Sequence, residues 1–269
     1  MSTAEQRIRK AVIYSDLPGA LSMEDRFKLS RDVGFEGIEA QPITDIAECE
    51  RMRAAAEKAG TRIHSVIFGG WQVPLTTGDA EAAKQSVAAV EAGLRGTHAM
   101  GADAMLLVPG RVNAETRYAD AYANSQRNIR KLLPIAEELK VVIAIENVWN
   151  NFLLSPIEFA RYVDEFKSPW VQAYFDVGNV VRFAWPQDWI RTLGKRIKKL
   201  HVKDFKGGPG LGTGGEWVPI GEGSIDWPEV RKALAEVGYH GYATTEVGGG
   251  DEAYLRKLAA SVDRVLTGA

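Results

Sequence analysis

The chain has 269 residues, of which 45% are hydrophobic and 25% are charged, so it can bury the core of a globular protein. Its 33 basic and 35 acidic residues give a formal net charge of −2, which argues against nucleic acid or an anionic membrane as the partner and favours a small molecule. The single cysteine, Cys49, excludes an intrachain disulfide framework and is typical of a reducing compartment.

The N-terminal segment "MSTAEQRIRK" lacks the apolar core of a signal peptide. No apolar run in the chain approaches the roughly 20 residues that a membrane-spanning helix needs. We therefore expect a cytoplasmic protein that has no membrane partner.

Short apolar runs rich in β-branched residues follow one another from end to end of the chain, separated by longer stretches of helical period. The runs predict eight strands, at 11–14, 37–40, 62–67, 103–108, 141–146, 171–176, 197–203 and 242–247. The stretches between them predict helices at 22–33, 45–59, 79–100, 117–139, 155–166, 187–194, 227–237 and 251–267. Ser155 and Asp226 each precede a proline-containing first turn and are predicted N-caps.

Eight strands that each precede a helix, with no linker or low-complexity stretch, predict a single α/β domain over residues 1–269. The best interpretation is a (β/α)₈ TIM barrel. A doubly wound open sheet is the alternative, but the phosphate-binding "GxGxxG" turn that should follow one of its early strands is absent from the sequence.

The glycine-rich stretch over residues 206–223, "KGGPGLGTGGEWVPIGEG", is the one long segment without periodicity. It follows the seventh predicted strand, so in a barrel it lies over the C-terminal face, where active sites form. A variable surface loop is one interpretation. A lid or substrate-binding loop is the other, and the position of the glycines between two candidate site strands favours it.

Polar residues occur at the ends of four consecutive predicted strands, where a purely structural strand has little use for them. The fifth strand ends with Glu146 and the sixth with Asp176, while His201 lies in the seventh and Glu246 in the eighth. Three carboxylates at one rim of a barrel repel one another unless a cation neutralises them. The set therefore predicts a site for one divalent metal ion, with Glu146, Asp176, His201 and Glu246 as ligands.

The donor types narrow the choice of metal. Three carboxylates and one imidazole suit Mn²⁺ or Mg²⁺, and Co²⁺ or Zn²⁺ is also feasible. Taken singly, each residue has a structural interpretation: helix capping, turn formation, a buried hydrogen-bonded histidine or a salt bridge. Their occurrence together on adjacent strands favours the metal site.

The motifs "IEN", "YFDVGN", "LHVKDF", "VPIGEGSIDW" and "TTEV" occur in this order along the chain. The ordered set resembles the sugar-phosphate isomerase and epimerase family of xylose-isomerase-like TIM barrels, and most of all its L-ribulose/L-xylulose 5-phosphate 3-epimerase and hexulose-6-phosphate isomerase branch. The resemblance is good over about residues 101–250. It implies the same four metal ligands, a carbohydrate substrate and a homo-oligomer, either a dimer or a tetramer.

The resemblance also implies a mechanism. A metal bound to the carbonyl and a neighbouring hydroxyl of the sugar stabilises a cis-enediolate, while a carboxylate takes the proton. In the related epimerases two glutamates act from opposite faces of the substrate, which inverts the centre. By this analogy Glu146 and Glu246 are the acid/base groups as well as ligands.

Six further residues are candidate substrate-binding residues: His64, Asn179, Lys203, Asp204, Trp149 and Glu222. His64, assigned to the end of the third strand, can donate to a sugar hydroxyl, and a structural role is the alternative. Asn179 occupies the position where many relatives have histidine. Lys203 and Asp204 are expected to orient His201 or to pair with Glu222. Trp149, like Trp71, is expected to line the pocket or simply to pack.

The sequence leaves the substrate and the type of reaction open. A phosphorylated and a free sugar are equally compatible with it, because the glycine-rich loops offer backbone N–H groups but contain no arginine. The same enediolate chemistry also serves a keto-sugar dehydratase or lyase. A non-catalytic sugar-binding barrel is a further alternative. Endonuclease IV shares the barrel but uses many more histidines than the four present here.

Overall fold

Eight parallel strands close into a barrel in the computed structural model, which describes residues 7–208 and 214–268. They are β1 (Arg9–Ile13), β2 (Gly37–Ala40), β3 (Ile63–Gly69), β4 (Ala104–Leu107), β5 (Val142–Glu146), β6 (Val171–Asp176), β7 (Ile197–Val202) and β10 (Tyr242–Thr245). Strand β1 pairs with both β2 and β10, so the sheet has no open edge. The predicted TIM barrel is confirmed, and every predicted strand is present.

Helices follow the strands and surround the barrel. They are α1 (Met23–Asp32), α2 (Ile46–Lys58), α3 (Ala80–Ala99), α4 (Tyr118–Arg130), α5 (Leu133–Leu139), α6 (Pro156–Asp164), α7 (Pro186–Leu193), α8 (Trp227–Glu236) and α9 (Glu252–Thr267). The predicted N-caps are confirmed, since Ser155 Oγ and Asp226 Oδ1 accept the backbone N–H of Glu158 and Glu229. No helix in the described ranges is both long and apolar enough to span a bilayer.

Two predicted segments have more structure than the sequence indicated. The single helix predicted over 117–139 is wrong, because Pro134, which has no N–H to donate, lies in the first turn of a separate helix α5. The stretch over 206–223 contains part of an antiparallel hairpin formed by β8 (Asp204–Lys206) and β9 (Glu216–Val218). Residues 209–213 of that stretch lie outside the described residues, and its role as a lid stays a prediction.

Side chains alternate along each strand between the barrel interior and the surface that faces the helices. The larger apolar core lies between barrel and helices, where Phe175 of β6 stacks on Trp189 of α7. The interior carries a smaller apolar cluster made of Ala104, Leu106, Val108, Val142, Ala144 and Tyr174. Because the period is two, Glu146 and Asp176 follow Ala144 and Tyr174 into the interior, at its carboxyl end.

A register shift changes this alternation on one side of the barrel. In the β2–β3 pair, Ile38 lies opposite Ile63 but Glu39 lies opposite Ser65, so His64 is an extra residue. His64 and Ser65 consequently both reach interior partners: His64 Nε2 lies 3.0 Å from Thr244 Oγ1, and Ser65 Oγ donates to Glu39 Oε1 at 3.0 Å.

An ion pair between a buried lysine and a partly exposed aspartate lies at the opposite, amino end of the barrel interior. Lys199 Nζ is 2.7 Å from Asp103 Oδ1, the Lys199 side chain is only 4% exposed, and Lys198 Nζ lies 3.0 Å from the other carboxylate oxygen. We expect Asp103→Asn to lower the free energy of unfolding by about 2–3 kcal/mol, because it leaves the Lys199 ammonium buried without a counter-charge. Urea denaturation at pH 7 measures the loss.

The matched control is Asp164→Asn, which removes the carboxylate of the surface pair with Arg196 and should cost less than about 1 kcal/mol. The Lys199 and Lys198 ammonium groups outweigh the effect of burial and lower the pKa of Asp103 to about 2. A carboxyl with a lowered pKa stabilises the fold above about pH 4, and this contribution is lost as the pH falls towards 2. The difference between Asp103→Asn and the unmodified chain should therefore shrink over that interval. Equal losses in the two variants at pH 7 would contradict this account.

Candidate metal centre

The four residues predicted as metal ligands converge at the carboxyl end of the barrel. Glu146 and Asp176 are the last residues of β5 and β6, His201 lies in β7, and Glu246 directly follows β10. Each offers one ligand atom, and these four atoms all lie within 4.8 Å of one another. Parallel topology and the two-residue period of the strands bring them to the same interior layer.

His201 lies at the centre of the cluster. Its Nδ1 is 3.0 Å from Glu146 Oε1, 3.5 Å from Glu246 Oε2 and 3.8 Å from Asp176 Oδ2. Burial by itself would lower the pKa of this histidine, but the surrounding carboxylates outweigh burial and raise it well above its usual value.

The carboxylates of the cluster are poorly solvated, which disfavours their charged forms. Burial raises the pKa of Glu146 to about 7 and that of Asp176 to about 6. Asp176 Oδ2 is buried and accepts no hydrogen bond from the described residues, although Lys203 Nζ lies 3.0 Å from it. A free acceptor oxygen among three carboxylates and one imidazole fits a hard divalent cation, so the residues present match the donor set of such a metal.

A fourth carboxylate, which sequence reasoning missed, orients the histidine. Glu39 in β2 is fully buried, its Oε2 lies 2.6 Å from His201 Nε2, and its Oε1 accepts the Ser65 hydroxyl at 3.0 Å. With Nε2–H donated to Glu39, Nδ1 faces the other three carboxylates, and it can offer its lone pair to a metal ion once it has lost its proton. The sequence feature that could have identified Glu39 is an acidic residue within the otherwise apolar strand "GIEA".

Asp16 is a further carboxyl group that the sequence reading missed. It follows β1 in a short 3₁₀ turn, and its Oδ2 is buried without a hydrogen bond from the described residues. Burial, and after it the charges of Glu246 and Glu39, raises the pKa of Asp16 to about 6. It adds to the negative charge at this rim of the barrel.

Two asparagines lock together the loops that follow β5 and β6. Asn147 donates from Nδ2 to the carbonyl of Asp176 at 2.9 Å and accepts the Asp176 N–H at 2.8 Å. Asn179 donates its N–H to Asp176 Oδ1 at 2.6 Å and its side-chain amide to the carbonyl of Asn147 at 2.9 Å. The side-chain N–H of Asn179 thus holds the neighbouring loop, and contact of this residue with the sugar stays a prediction.

Lys203 contacts two of the predicted ligands rather than Glu222. Its ammonium forms ion pairs with Asp176 and Glu246, which raise its pKa although burial opposes them. Gly178 makes room for the lysine, since a Cβ at that position would come within 2.6 Å of Lys203 Cγ. Lys203 thus belongs to the cluster, and its expected pairing with Glu222 is wrong.

Asp204 supports the neighbouring loops and does not orient His201. It is buried, and its carboxylate accepts the N–H groups of Phe205 and Gly221 and the indole N–H of Trp227 at 2.8–2.9 Å. Glu222 is exposed in the turn that follows β9. The expectation that Asp204 pairs with Glu222 or His201 is therefore wrong.

His64 lies at the start of β3, not at its end. It is fully buried, hydrogen-bonds to Thr244 and stacks on the Tyr242 ring with centroids 4.2 Å apart. Burial lowers its pKa well below the usual value. These contacts favour the structural alternative for this histidine.

Aromatic side chains line one side of the cluster. Trp149, which is 42% exposed, stacks on Trp217 with centroids 5.3 Å apart, and Phe205 packs edge-on against both rings. The indole N–H of Trp149 donates to the carbonyl of Asn179 at 2.7 Å. Trp149 is therefore held by its neighbours with its ring partly exposed, whereas Trp71 is half-exposed under Arg111.

Comparison with known proteins gives consistent similarities. Residues 27–264 match the family described as the xylose isomerase-like TIM barrel. The chain is 34% identical to a D-psicose 3-epimerase of Enterocloster bolteae over 128 residues, a match that covers 46% of this chain and 39% of that protein. It is 23% identical over 250 residues to an L-ribulose-5-phosphate 3-epimerase of Escherichia coli O1:K1 / APEC, covering 88% of this chain and 86% of the relative.

Solved structures show the same architecture. The D-psicose 3-epimerase of Clostridium cellulolyticum H10, solved with D-tagatose, superimposes with a TM-score of 0.79 at 16% identity, covering 96% of this chain and 99% of that one. At this identity the likeness concerns the fold.

Proposed function

The chain belongs to the xylose isomerase-like TIM barrel family, and we propose that it is a metal-dependent sugar isomerase or epimerase. Its substrate is a sugar with a carbonyl next to a carbon that bears a hydroxyl, such as a ketose or ketose phosphate. The observation that carries the proposal is the convergence of Glu146, Asp176, His201 and Glu246 within 4.8 Å. The names of the epimerase relatives support the reaction type.

The same four residues would hold one divalent metal ion, with Mn²⁺ or Mg²⁺ best suited to the oxygen-rich donor set and Co²⁺ or Zn²⁺ also compatible. When bound, the metal supplies Lewis-acid polarisation of the substrate carbonyl. Glu39 holds His201 with Nδ1 towards the centre, and Lys203 balances the charge of Asp176 and Glu246.

The two glutamates can perform the proton transfers. Glu146 and Glu246 come from strands β5 and β10, which β6 and β7 separate in the barrel, so their carboxylates approach the centre from different sides. One carboxylate takes the proton from the carbon next to the carbonyl, and the C–H electron pair forms the enediolate. The other glutamate returns a proton to the opposite face, which inverts the centre.

Hydrogen exchange with solvent tests this proposal. The enzyme is freed of metal with a chelator, reloaded with diamagnetic Mg²⁺ and incubated with a panel of ketoses in D₂O, and the sugars are followed by NMR. We expect deuterium next to the carbonyl only in the reloaded enzyme. Deuterium at C3 of a ketose indicates 3-epimerisation, and deuterium at C1 or C2 indicates aldose–ketose isomerisation.

Two results would contradict the proposal in different ways. Loss of water or of an aglycone in place of an epimer would identify a dehydratase or lyase. Sugar binding without exchange under any of the four metals would identify a non-catalytic sugar-binding barrel.

A further inference from the structure

A cavity of about 640 Å³ opens beside the candidate metal centre. We call it the side cavity. Lys203 and Glu246 form its inner end, so it is continuous with the metal centre. Its outer walls come from the β8–β9 hairpin and the turn after it on one side, and from helix α9 on the other.

The side cavity is larger than a simple sugar requires. A hexose has the bulk of about six water molecules, or roughly 180 Å³. Its reacting carbons must also lie close to Glu146 and Asp176, which do not line the cavity. A substrate that consisted of the sugar alone would therefore leave most of this space to water.

The outer walls are mainly apolar. The side chains that give them this character are Val218, Pro219, Ile220, Val247 and Leu258, with the rings of Trp217 and Tyr254. Apolar walls of this kind gain free energy when they bury an apolar group in place of water.

The charges around the side cavity do not favour a phosphate. Glu246 contributes a carboxylate to its lining, and Lys203 is already paired with Asp176 and Glu246. Lys257 is the remaining cation of the lining, and no ion pair of the described residues includes it. One unpaired ammonium with the Glu246 carboxylate in the same lining, and no arginine, is a poor receptor for a phosphate dianion.

We propose that the side cavity binds the apolar aglycone of a keto-glycoside. This inference rests on the proposed function and narrows its substrate: the sugar that reacts at the metal centre carries an aromatic or other apolar substituent and no phosphate. The reacting carbons lie at the metal centre, and the substituent extends between the β8–β9 hairpin and α9.

Matched glycosides test the assignment. The probes are the methyl and the phenyl glycoside of 3-keto-glucose and the 6-phosphate of the methyl glycoside, and isothermal titration calorimetry on the Mg²⁺-loaded enzyme measures their binding. We expect the phenyl glycoside to bind at least ten times more tightly than the methyl glycoside, because its ring is buried against the apolar wall.

Two variants locate the effect. Val218→Asp places a carboxylate in the apolar wall, and Ser261→Trp fills the cavity from the α9 side. Each should reduce the preference for the phenyl glycoside to less than threefold and leave the affinity for the methyl glycoside unchanged. Val218→Ile is the conservative control and should keep the tenfold preference. If Val218→Asp does not fold, Ser261→Trp alone tests the location of the effect.

Other binding results would contradict the proposal. Equal affinities for the phenyl and methyl glycosides would overturn the proposal, as would tighter binding of the phosphate that is lost in Lys257→Ala. Exchange of substrate protons in D₂O is measured separately. A tenfold phenyl preference without any exchange would leave the cavity assignment standing and refute the proposed catalytic function.

Discussion

Replacing Glu146 by glutamine should abolish epimer formation and lower substrate deuterium exchange in D₂O at least about 100-fold. Glutamine has the same shape and can still contact His201 Nδ1, which Glu146 Oε1 meets at 3.0 Å, but its amide cannot take a proton from carbon. Glu246→Gln should likewise abolish epimer formation, because inversion needs one carboxylate on each face, and each variant should lose exchange for the epimer whose proton faces the replaced glutamate. NMR of the sugar during incubation measures both exchange and epimer.

The assay uses saturating metal, and bound metal is measured in each variant, so that weaker metal binding is separated from the loss of proton transfer. Glu252→Gln is the matched control. Glu252 is an exposed glutamate at the start of α9 that pairs with Arg256, so its replacement should leave exchange unchanged. Full exchange and inversion in both Glu146→Gln and Glu246→Gln would refute the assignment of these glutamates as acid/base groups.

Removing the Glu39 carboxylate should weaken metal binding by about 10–100-fold, although Glu39 is not one of the four predicted ligands. Its Oε2 lies 2.6 Å from His201 Nε2 inside the barrel, and both side chains are fully buried. In Glu39→Ala the ring loses the acceptor that fixes its tautomer and orientation. Calorimetric titration of the metal-free protein with Mn²⁺ measures the change directly.

Glu39→Gln divides the effect into two parts, because its amide oxygen can still accept from His201 Nε2 while the negative charge is gone. We expect an affinity between those of Glu39→Ala and the unmodified chain. Glu36→Gln is the control, since Glu36 precedes the same strand and pairs with Arg7 at the surface. Metal affinity that is unchanged in Glu39→Ala would show that the ring needs no such support.

The fold and the convergence of the four metal-site residues could be predicted because they depend on simple periodicities. Apolar runs that alternate with helical stretches imply parallel strands, and parallel strands bring their carboxyl ends to one rim. The period of two then directs Glu146 and Asp176 inward together. None of these steps needs tertiary detail. The cytoplasmic location and the homo-oligomer remain predictions from the sequence and the family resemblance.

The errors arose where tertiary contacts override local pattern. The register shift between β2 and β3 puts His64 in a deep layer among Thr244 and Tyr242, and no sequence rule marks that shift. The partners of Lys203, Asp204 and Asn179 depend on which loops meet above the barrel. The role of Glu39 could have been predicted from the sequence, since a buried strand rarely contains an unpaired carboxylate.

The hydrogen bonds that join the loops after β5 and β6 also limit how these two loops can move. Because Asn147 and Asn179 join the two loops through three hydrogen bonds, an outward movement of one loop must break these bonds or carry the other loop with it. These hydrogen bonds therefore couple the positions of Glu146 and Asp176. Glu246 is 31% exposed and borders the side cavity, so the proposed substrate would reach the centre past this glutamate.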